Sequence, residues 1–143
     1  MSKLLEQLTI TDPLTGLYNR RYLNLQAPHI IARAKRNKTS ICVAMCDINP
    51  SDDYSLQHLA HCLQAETREG QDTAYRLDCD DYLVVMEQSD ESSGRVVLDR
   101  VQSRFSQNSS DVTLSIGIAS VSWKDLGSYL DDILKLAAEN MIS

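Results

Sequence analysis

No apolar run in this sequence is long enough to cross a bilayer. The first residues, Met1–Leu8, lack the basic and apolar regions of a secretory signal. Low-complexity tracts are also missing, which argues against a disordered chain. Nor is there an excess of positive charge: 14 Lys and Arg stand against 20 Asp and Glu, for a formal net charge of -6. Nucleic-acid affinity rests largely on neutralised phosphates, so nucleic acid is excluded as the expected partner. The expectation is a soluble, cytoplasmic protein with no direct membrane insertion.

The 143 residues, 43% of them apolar, suffice for one domain with one core. Four cysteines are present, at Cys42, Cys46, Cys62 and Cys79, in no zinc-binding spacing. Cys42 and Cys46 fall in one strand, where four residues span about 13 Å, too far to share a metal. Buried free thiols in a reducing compartment are expected. His58, His61 and Cys62 share a helical face but lack a fourth ligand, so ordinary packing is expected there too. Arg33, Lys35, Arg36 and Lys38 form a basic cluster that reads as a solvated helix end, its cations suiting the negative end of the dipole.

Along the chain, Leu4, Leu5 and Leu8 suggest the end of an amphipathic linker helix over residues 1–10. Turn and capping residues follow at Asp12-Pro13-Leu14-Thr15-Gly16. A helix is predicted from about Leu17 to Asn37, kinked or restarted at Pro28. Ile41–Cys46, apolar on both faces, reads as a doubly covered central strand ending in Asp47-Ile48-Asn49. Ser55–Glu69 is helical, with Gly70 as its stop. Thr73–Leu77 and Tyr82–Glu87 are strands around a polar turn. Ser92–Phe105 is a helix, Asp111–Ser120 an alternating strand, and Leu126–Met141 the last helix. This order suits an α/β sandwich of ferredoxin-like type, a mixed, largely antiparallel sheet flanked by helices, although other α+β layouts share it. The small residues Thr113, Ser115, Gly117 and Ala119 line one face of the last strand, where either a partner or a helix of the same domain could pack.

Asp12-Pro13-Leu14-Thr15-Gly16-Leu17-Tyr18-Asn19-Arg20-Arg21 resembles, nearly residue for residue, the amino-terminal motif D-x-L-T-G-L-x-N-R-R of GGDEF domains. Asp47-Ile48-Asn49 is similar to that family's D-x-D element. Arg76-Leu77-Asp78-Cys79-Asp80-Asp81-Tyr82 falls where R-x-G-G-D-E-F belongs, and Val112–Ala119 resembles the strand that follows. The resemblance covers nearly the whole chain. It implies a single GGDEF domain over 1–143 with a nucleotidyl cyclase-like fold, in bacterial cyclic di-GMP signalling.

Active members join two GTP molecules into cyclic di-GMP, one on each half of a homodimer, with magnesium neutralising the charge of the phosphoryl transfer. Carried over by position, the metal ligands are Asp47, Asp80 and the Ile48 main-chain carbonyl. Without the resemblance, Asp78, Asp80 and Asp81 read as turn residues and Asp47 as a helix cap.

The sequence departs from the family where ligands are handled. Asp78 and Cys79 replace the two glycines that let the chain approach phosphate, and Asp81 is one methylene shorter than the signature glutamate. Ser51-Asp52 only partly resembles the base-reading N-D pair, whose asparagine is absent. No lysine occupies the F-K slot, and alanine stands at the C-terminal phosphate-binding lysine, in Ala137-Ala138-Glu139-Asn140-Met141. The product-binding R-x-x-D would fall on Glu69-Gly70-Gln71-Asp72, without its arginine; Arg68 lies one residue early.

The reading is therefore a degenerate, catalytically silent domain, with none of Asp78, Cys79, Asp80, Asp81 and Tyr82 acting in catalysis. Its role would be regulation or dimerisation among other signalling domains or proteins of that pathway. Three alternatives stand beside it: a GTP- or metal-binding allosteric sensor, a weakly active cyclase, and a protein–protein interaction module unrelated to nucleotides.

Overall fold

Ile41–Asn49 forms a strand (β1) buried on both faces in the computed structural model, which describes residues 9–78, 80–107, 111–127 and 129–141. Its side chains alternate between two cores. Cys42, Ala44, Cys46 and Ile48 enter one, while Ile41 and Val43 enter the other, with Met45 packed against it. The strand Asp81–Glu87 (β3) does the same, with Tyr82, Val84 and Met86 on the first face and Leu83 and Val85 on the second. Both strands are therefore central, as a run apolar at every position predicts.

Asp72–Arg76 (β2) and Thr113–Val121 (β4) complete a four-stranded sheet in the order β2-β3-β1-β4. All three ladders are antiparallel. Because β3 lies between β1 and β2, those two strands run in the same direction without touching, the split βαβ arrangement of ferredoxin-like folds. The expected mixed sheet is thus antiparallel in every ladder among the described residues. Parallel pairing among the described residues is limited to one bridge, between Tyr18 and Tyr75.

Among the described residues four helices cover the sheet: α1 (Arg20–Asn37), α2 (Asp53–Glu66), α3 (Glu91–Ser106) and α4 (Asp131–Glu139). Leu56, Leu59 and Leu63 of α2 and Val97, Leu98 and Val101 of α3 fill the first core. Leu23, Ile30 and Ala34 of α1 and Ile133 and Ala137 of α4 fill the second.

The helix boundaries differ from the predicted ones for local reasons. The first begins at Arg20, not Leu17, because the Asn19 side chain caps it by accepting the Tyr22 N–H at 3.1 Å. It runs unbroken through Pro28. Pro28 and Asn24, whose carbonyl loses its helical partner, are both exposed, so water can take that bond while the buried face holds the helix on either side. The second helix stops at Glu66, capped by Thr67, and Gly70 serves the following turn at φ 77°. The last starts at Asp131, although Leu126 and Leu130 before it are buried. The expected linker helix, with Leu4, Leu5 and Leu8, lies outside the described residues.

Two contacts lock this frame. Asp12 accepts the Thr15 N–H at 2.9 Å and the Thr15 hydroxyl at 2.7 Å, closing the amino-terminal motif into a loop with Gly16 at φ 75°. The same carboxylate receives the Arg76 guanidinium at 3.0 Å, in a largely buried ion pair. The main chain agrees: the Arg76 N–H donates to the Tyr18 carbonyl at 2.8 Å. At the other lock, α4 lies so close to β4 that a Cβ on Gly117 would run into the Ala137 carbonyl oxygen and the Met141 main chain. The small residues Gly117 and Ala119 are thus covered by the chain's own last helix.

Gly117→Ala is therefore expected to lower stability by about 1–3 kcal/mol in urea unfolding, because the obstructing atoms are main chain and cannot swing away. Gly127→Ala, which meets nothing within 4 Å, should stay within about 0.5 kcal/mol of wild type.

Asp12→Ala should cost about 2 kcal/mol by leaving Arg76 largely buried without this carboxylate. Burial alone would raise the Asp12 carboxyl, but bonds from Thr15 and Arg76 and the charge of Arg76 outweigh it and hold the group below its ordinary value. Its stabilising contribution is thus complete above about pH 4, the unfolded value, and is lost as pH falls through the lowered folded value. Acid unfolding curves of wild type and Asp12→Ala should converge below that point.

Candidate functional site

Asp47 stands near the end of β1 and Asp81 at the start of β3, directly opposite each other in the ladder. Asp80 precedes Asp81 in the turn that closes the β2–β3 hairpin, where the Leu77 N–H donates to the Asp81 carbonyl at 2.9 Å. Each of the three carboxyl groups offers an oxygen within 4.8 Å of the others, and all three residues are half-buried. Two of them, Asp47 and Asp80, are the carboxylates expected from sequence. Asp81 is an addition: in sequence it is only a glutamate position shortened by one methylene, and the strand register brings it opposite Asp47. Ile48 follows Asp47 with its side chain in the core.

Electrostatics make this cluster expensive without a counter-ion. Burial, then the charges of Asp80 and Asp81, raise the Asp47 carboxyl above its ordinary value, with the Ile48 main-chain N–H opposing. Burial, then Asp80 and Asp78, raise Asp81, with Arg20 opposing. The Asp47 Oδ1 atom is buried and has no hydrogen-bond partner. A buried carboxylate oxygen without a donor is costly, and a hard divalent cation is the ligand such oxygens suit. The donor set therefore fits the cation that the family resemblance implies, with Asp47, Asp80 and Asp81 as the residues to hold it.

The remaining positions do other work. Asp78, in the first glycine place of the signature, pairs with Arg20 at 3.8 Å across a solvent-exposed gap. Exposed pairs of that length contribute little. Cys79 lies outside the described residues. Tyr82, in the phenylalanine place, is buried and donates its hydroxyl to the Leu56 carbonyl at 2.7 Å, tying the signature strand to α2. Asp52 caps α2 by accepting the Ser55 N–H at 2.8 Å. The cap expected at Asp47 is thus supplied by Asp52.

Arg68, one residue out of place for R-x-x-D, binds Asp72 within the molecule. Its main-chain N, Nε and Nη2 donate to that carboxylate at 2.8–2.9 Å, and the Asp72 side chain is fully buried. Nη2 also donates to the Ser89 hydroxyl at 2.7 Å. Ala138 is exposed on α4.

The His58, His61 and Cys62 face is occupied by packing. The His58 ring stacks on Phe105 with centroids 5.1 Å apart, and His61 is exposed. Cys42, Cys46 and Cys62 are free and buried, and burial pushes the first two thiols up to about 12. Of the basic cluster, Arg33 departs from the solvated helix end by binding Glu87 of β3 through two bonds of 2.9 Å.

The sequence profile of the family described as "Diguanylate cyclase, GGDEF domain" matches residues 9–143. Diguanylate cyclase DgcS of Shewanella oneidensis is 25% identical over 126 residues, which cover 78% of this chain and 42% of that protein. The chain thus spans less than half the length of this relative. Among solved structures, diguanylate cyclase SiaD of Pseudomonas aeruginosa, in complex with its activator SiaC, superimposes with a TM-score of 0.82 at 24% identity. The match covers 96% of this chain and 58% of that one. The FimX GGDEF domain of the same organism gives 0.80 at 18% identity, over 93% and 91%. The GGDEF domain of DgcB from Caulobacter crescentus, in complex with c-di-GMP, gives 0.79 at 18%, over 92% and 86%. These likenesses establish the fold, and with the profile match across nearly every described residue they lead to one assignment: the chain belongs to the diguanylate cyclase GGDEF-domain family.

Proposed function

We propose that this GGDEF domain is catalytically silent and acts as a regulatory or dimerisation module in cyclic di-GMP signalling. The observation that carries the reading is the signature turn, where a carboxylate, Asp78, stands in place of a glycine beside Asp80 and Asp81. Like charges about 4 Å apart repel by roughly 1 kcal/mol in water and about 4 kcal/mol at an effective dielectric of 20. A triphosphate approaching this turn meets negative charge where the family offers bare main chain. Of the other positions where the family binds ligands, Asp52 is engaged as a helix cap, and Asp72, at the far end of β2, is enclosed by Arg68. A protein partner is compatible with the role, since the neighbour SiaD is held by an activator protein.

A second reading has its own support in the partnerless Asp47 Oδ1 within the three-carboxylate cluster. On that reading the domain is a sensor that binds a divalent cation, alone or with GTP, through Asp47, Asp80 and Asp81 with the Ile48 carbonyl, and performs no chemistry.

Calorimetric titration with GTP in magnesium, followed by mass spectrometry of the same sample, tests the first reading. No cyclic di-GMP is expected. Product formation abolished by Asp80→Ala would overturn it. Heat of magnesium-dependent GTP binding that disappears in Asp47→Ala would favour the sensor, and binding retained in that variant would dismiss the site.

Stability supplies a separate check on the cluster. In a chelator at neutral pH, Asp47→Asn should raise the thermal midpoint by a few degrees, on the order of 1 kcal/mol, because it removes one of the crowded charges. A carboxyl raised on folding costs stability above its folded value and costs nothing below its unfolded value. The advantage of Asp47→Asn should therefore shrink as pH falls towards about 4. Magnesium should narrow the gap by stabilising the wild type alone.

A further inference from the structure

We propose that the basic patch around Trp123, made by Lys35, Arg36, Lys38 and Lys124 at the end of the sheet away from Asp47, is a docking surface for an anionic bilayer. The start of β1 pairs with the end of β4, Ile41 opposite Val121, so the last turn of α1 and the segment after β4 meet at this end. Lys38 and Lys124, from these two separate stretches of chain, place their Nζ atoms 5.8 and 5.9 Å from the centroid of one ring, that of Trp123. Lys35 and Arg36 occupy the adjoining last turn of α1, and all four cations are exposed. Among the described residues none of the four lies within ion-pair distance of a carboxylate, although Asp125 follows Lys124 in sequence.

A solvated helix end accounts for Lys35 and Arg36 through the helix dipole. It does not account for Lys38 reaching the indole of Trp123, in the segment after β4, where Lys124 follows directly in sequence. Nor does it account for Lys38 itself, which holds the left-handed conformation, φ 56° and ψ 50°, that glycine adopts at no steric cost. These exposed cations, without a carboxylate partner among the described residues, are free to meet an anion outside the molecule.

The composition selects the kind of anion. Protein interfaces are depleted of lysine, whereas an anionic leaflet attracts lysine and arginine alike and takes tryptophan at the level of its headgroups. The overall charge of -6 does not forbid this. Asp47 lies six residues along β1 from Ile41, roughly 20 Å, against a screening length of about 8 Å at physiological salt. Of the acids at this end, Glu87, opposite Ile41, is bound by Arg33, and Asp90 and Glu91 open α3, which packs into the first core while α1 packs into the second.

Trp123 is the sole tryptophan, so its emission reports docking directly. Titration with vesicles of phosphatidylcholine and phosphatidylglycerol should shift that emission and co-sediment the protein, reversibly at high salt, while pure phosphatidylcholine should do neither. Each lysine near an anionic surface contributes about fivefold to partition, so Lys38→Gly with Lys124→Ser should weaken it about 25-fold. Glycine keeps the helix end intact at position 38, and circular dichroism checks the fold. Lys135→Ser, at an exposed position of α4, should leave partition unchanged. Equal partition into both vesicle types, no effect of the double variant, or an equal effect of Lys135→Ser would overturn the proposal. So would retention on heparin without vesicle binding, which would point to a soluble polyanion instead.

Discussion

The guanidinium of Arg76 meets the Asp12 carboxylate at 3.0 Å, and the geometry of the candidate site depends on that contact. Asp12 is also the residue that closes the amino-terminal loop through Thr15, so one carboxylate orders the loop and anchors it to the last residue of β2. The adjoining main-chain bond from Arg76 to Tyr18 repeats the anchorage. With β2 fixed there, its ladder with β3 sets where the hairpin turns, and the ladder of β3 with β1 sets Asp81 opposite Asp47. Two segments more than sixty residues apart in sequence meet in this contact, at the strand that leads into the turn holding Asp80. A largely buried pair of this kind is costly to break from one side, because the partner is left behind without its counter-charge.

What converges is an arrangement the fold resists. Asp47 and Asp81 have raised carboxyl groups through burial and mutual charge, and one oxygen of Asp47 has no donor. Asp78 adds a further negative charge and recovers little from Arg20, because that pair is long and exposed. Folding therefore assembles a cluster that a counter-ion would relieve, and the stability comes from elsewhere in the sheet. The central strands bury both faces, and Tyr82 is tied into the first core by ring and hydroxyl together.

Most of the architecture was legible in the sequence because it rests on periodicity. The double-faced apolar run of β1, the alternation of β4 and the apolar stripes of the helices each appear as predicted. Boundaries were less legible where a single side chain decides them, as with Asn19 capping α1, or where buried leucines precede α4 without being helical. Pro28 does not interrupt α1, because the carbonyl it leaves without a helical partner belongs to an exposed residue. Of the site, Asp47 and Asp80 followed from motif position. The part played by Asp81 needed strand register, and that of Arg68 needed the turn that brings it onto Asp72. Neither is a property of spacing along the chain.

The contacts that make the fold and those that would handle a nucleotide fall on different residues. Asp12, Asn19, Arg76 and Tyr82 belong to motifs shared with the family, and each is engaged in packing, capping or pairing inside the molecule. The positions that depart are of another kind. Asp78 and Ala138 are exposed, and Asp52 is engaged only in capping its own helix. Substitution at such positions leaves both cores untouched, so a chain can lose its phosphate and base contacts one at a time without losing the sheet. The reverse does not hold, since removing Asp12 or Arg76 would disturb both. A well-preserved amino-terminal motif therefore reports a maintained fold, and evidence for a maintained reaction must come from the turn itself.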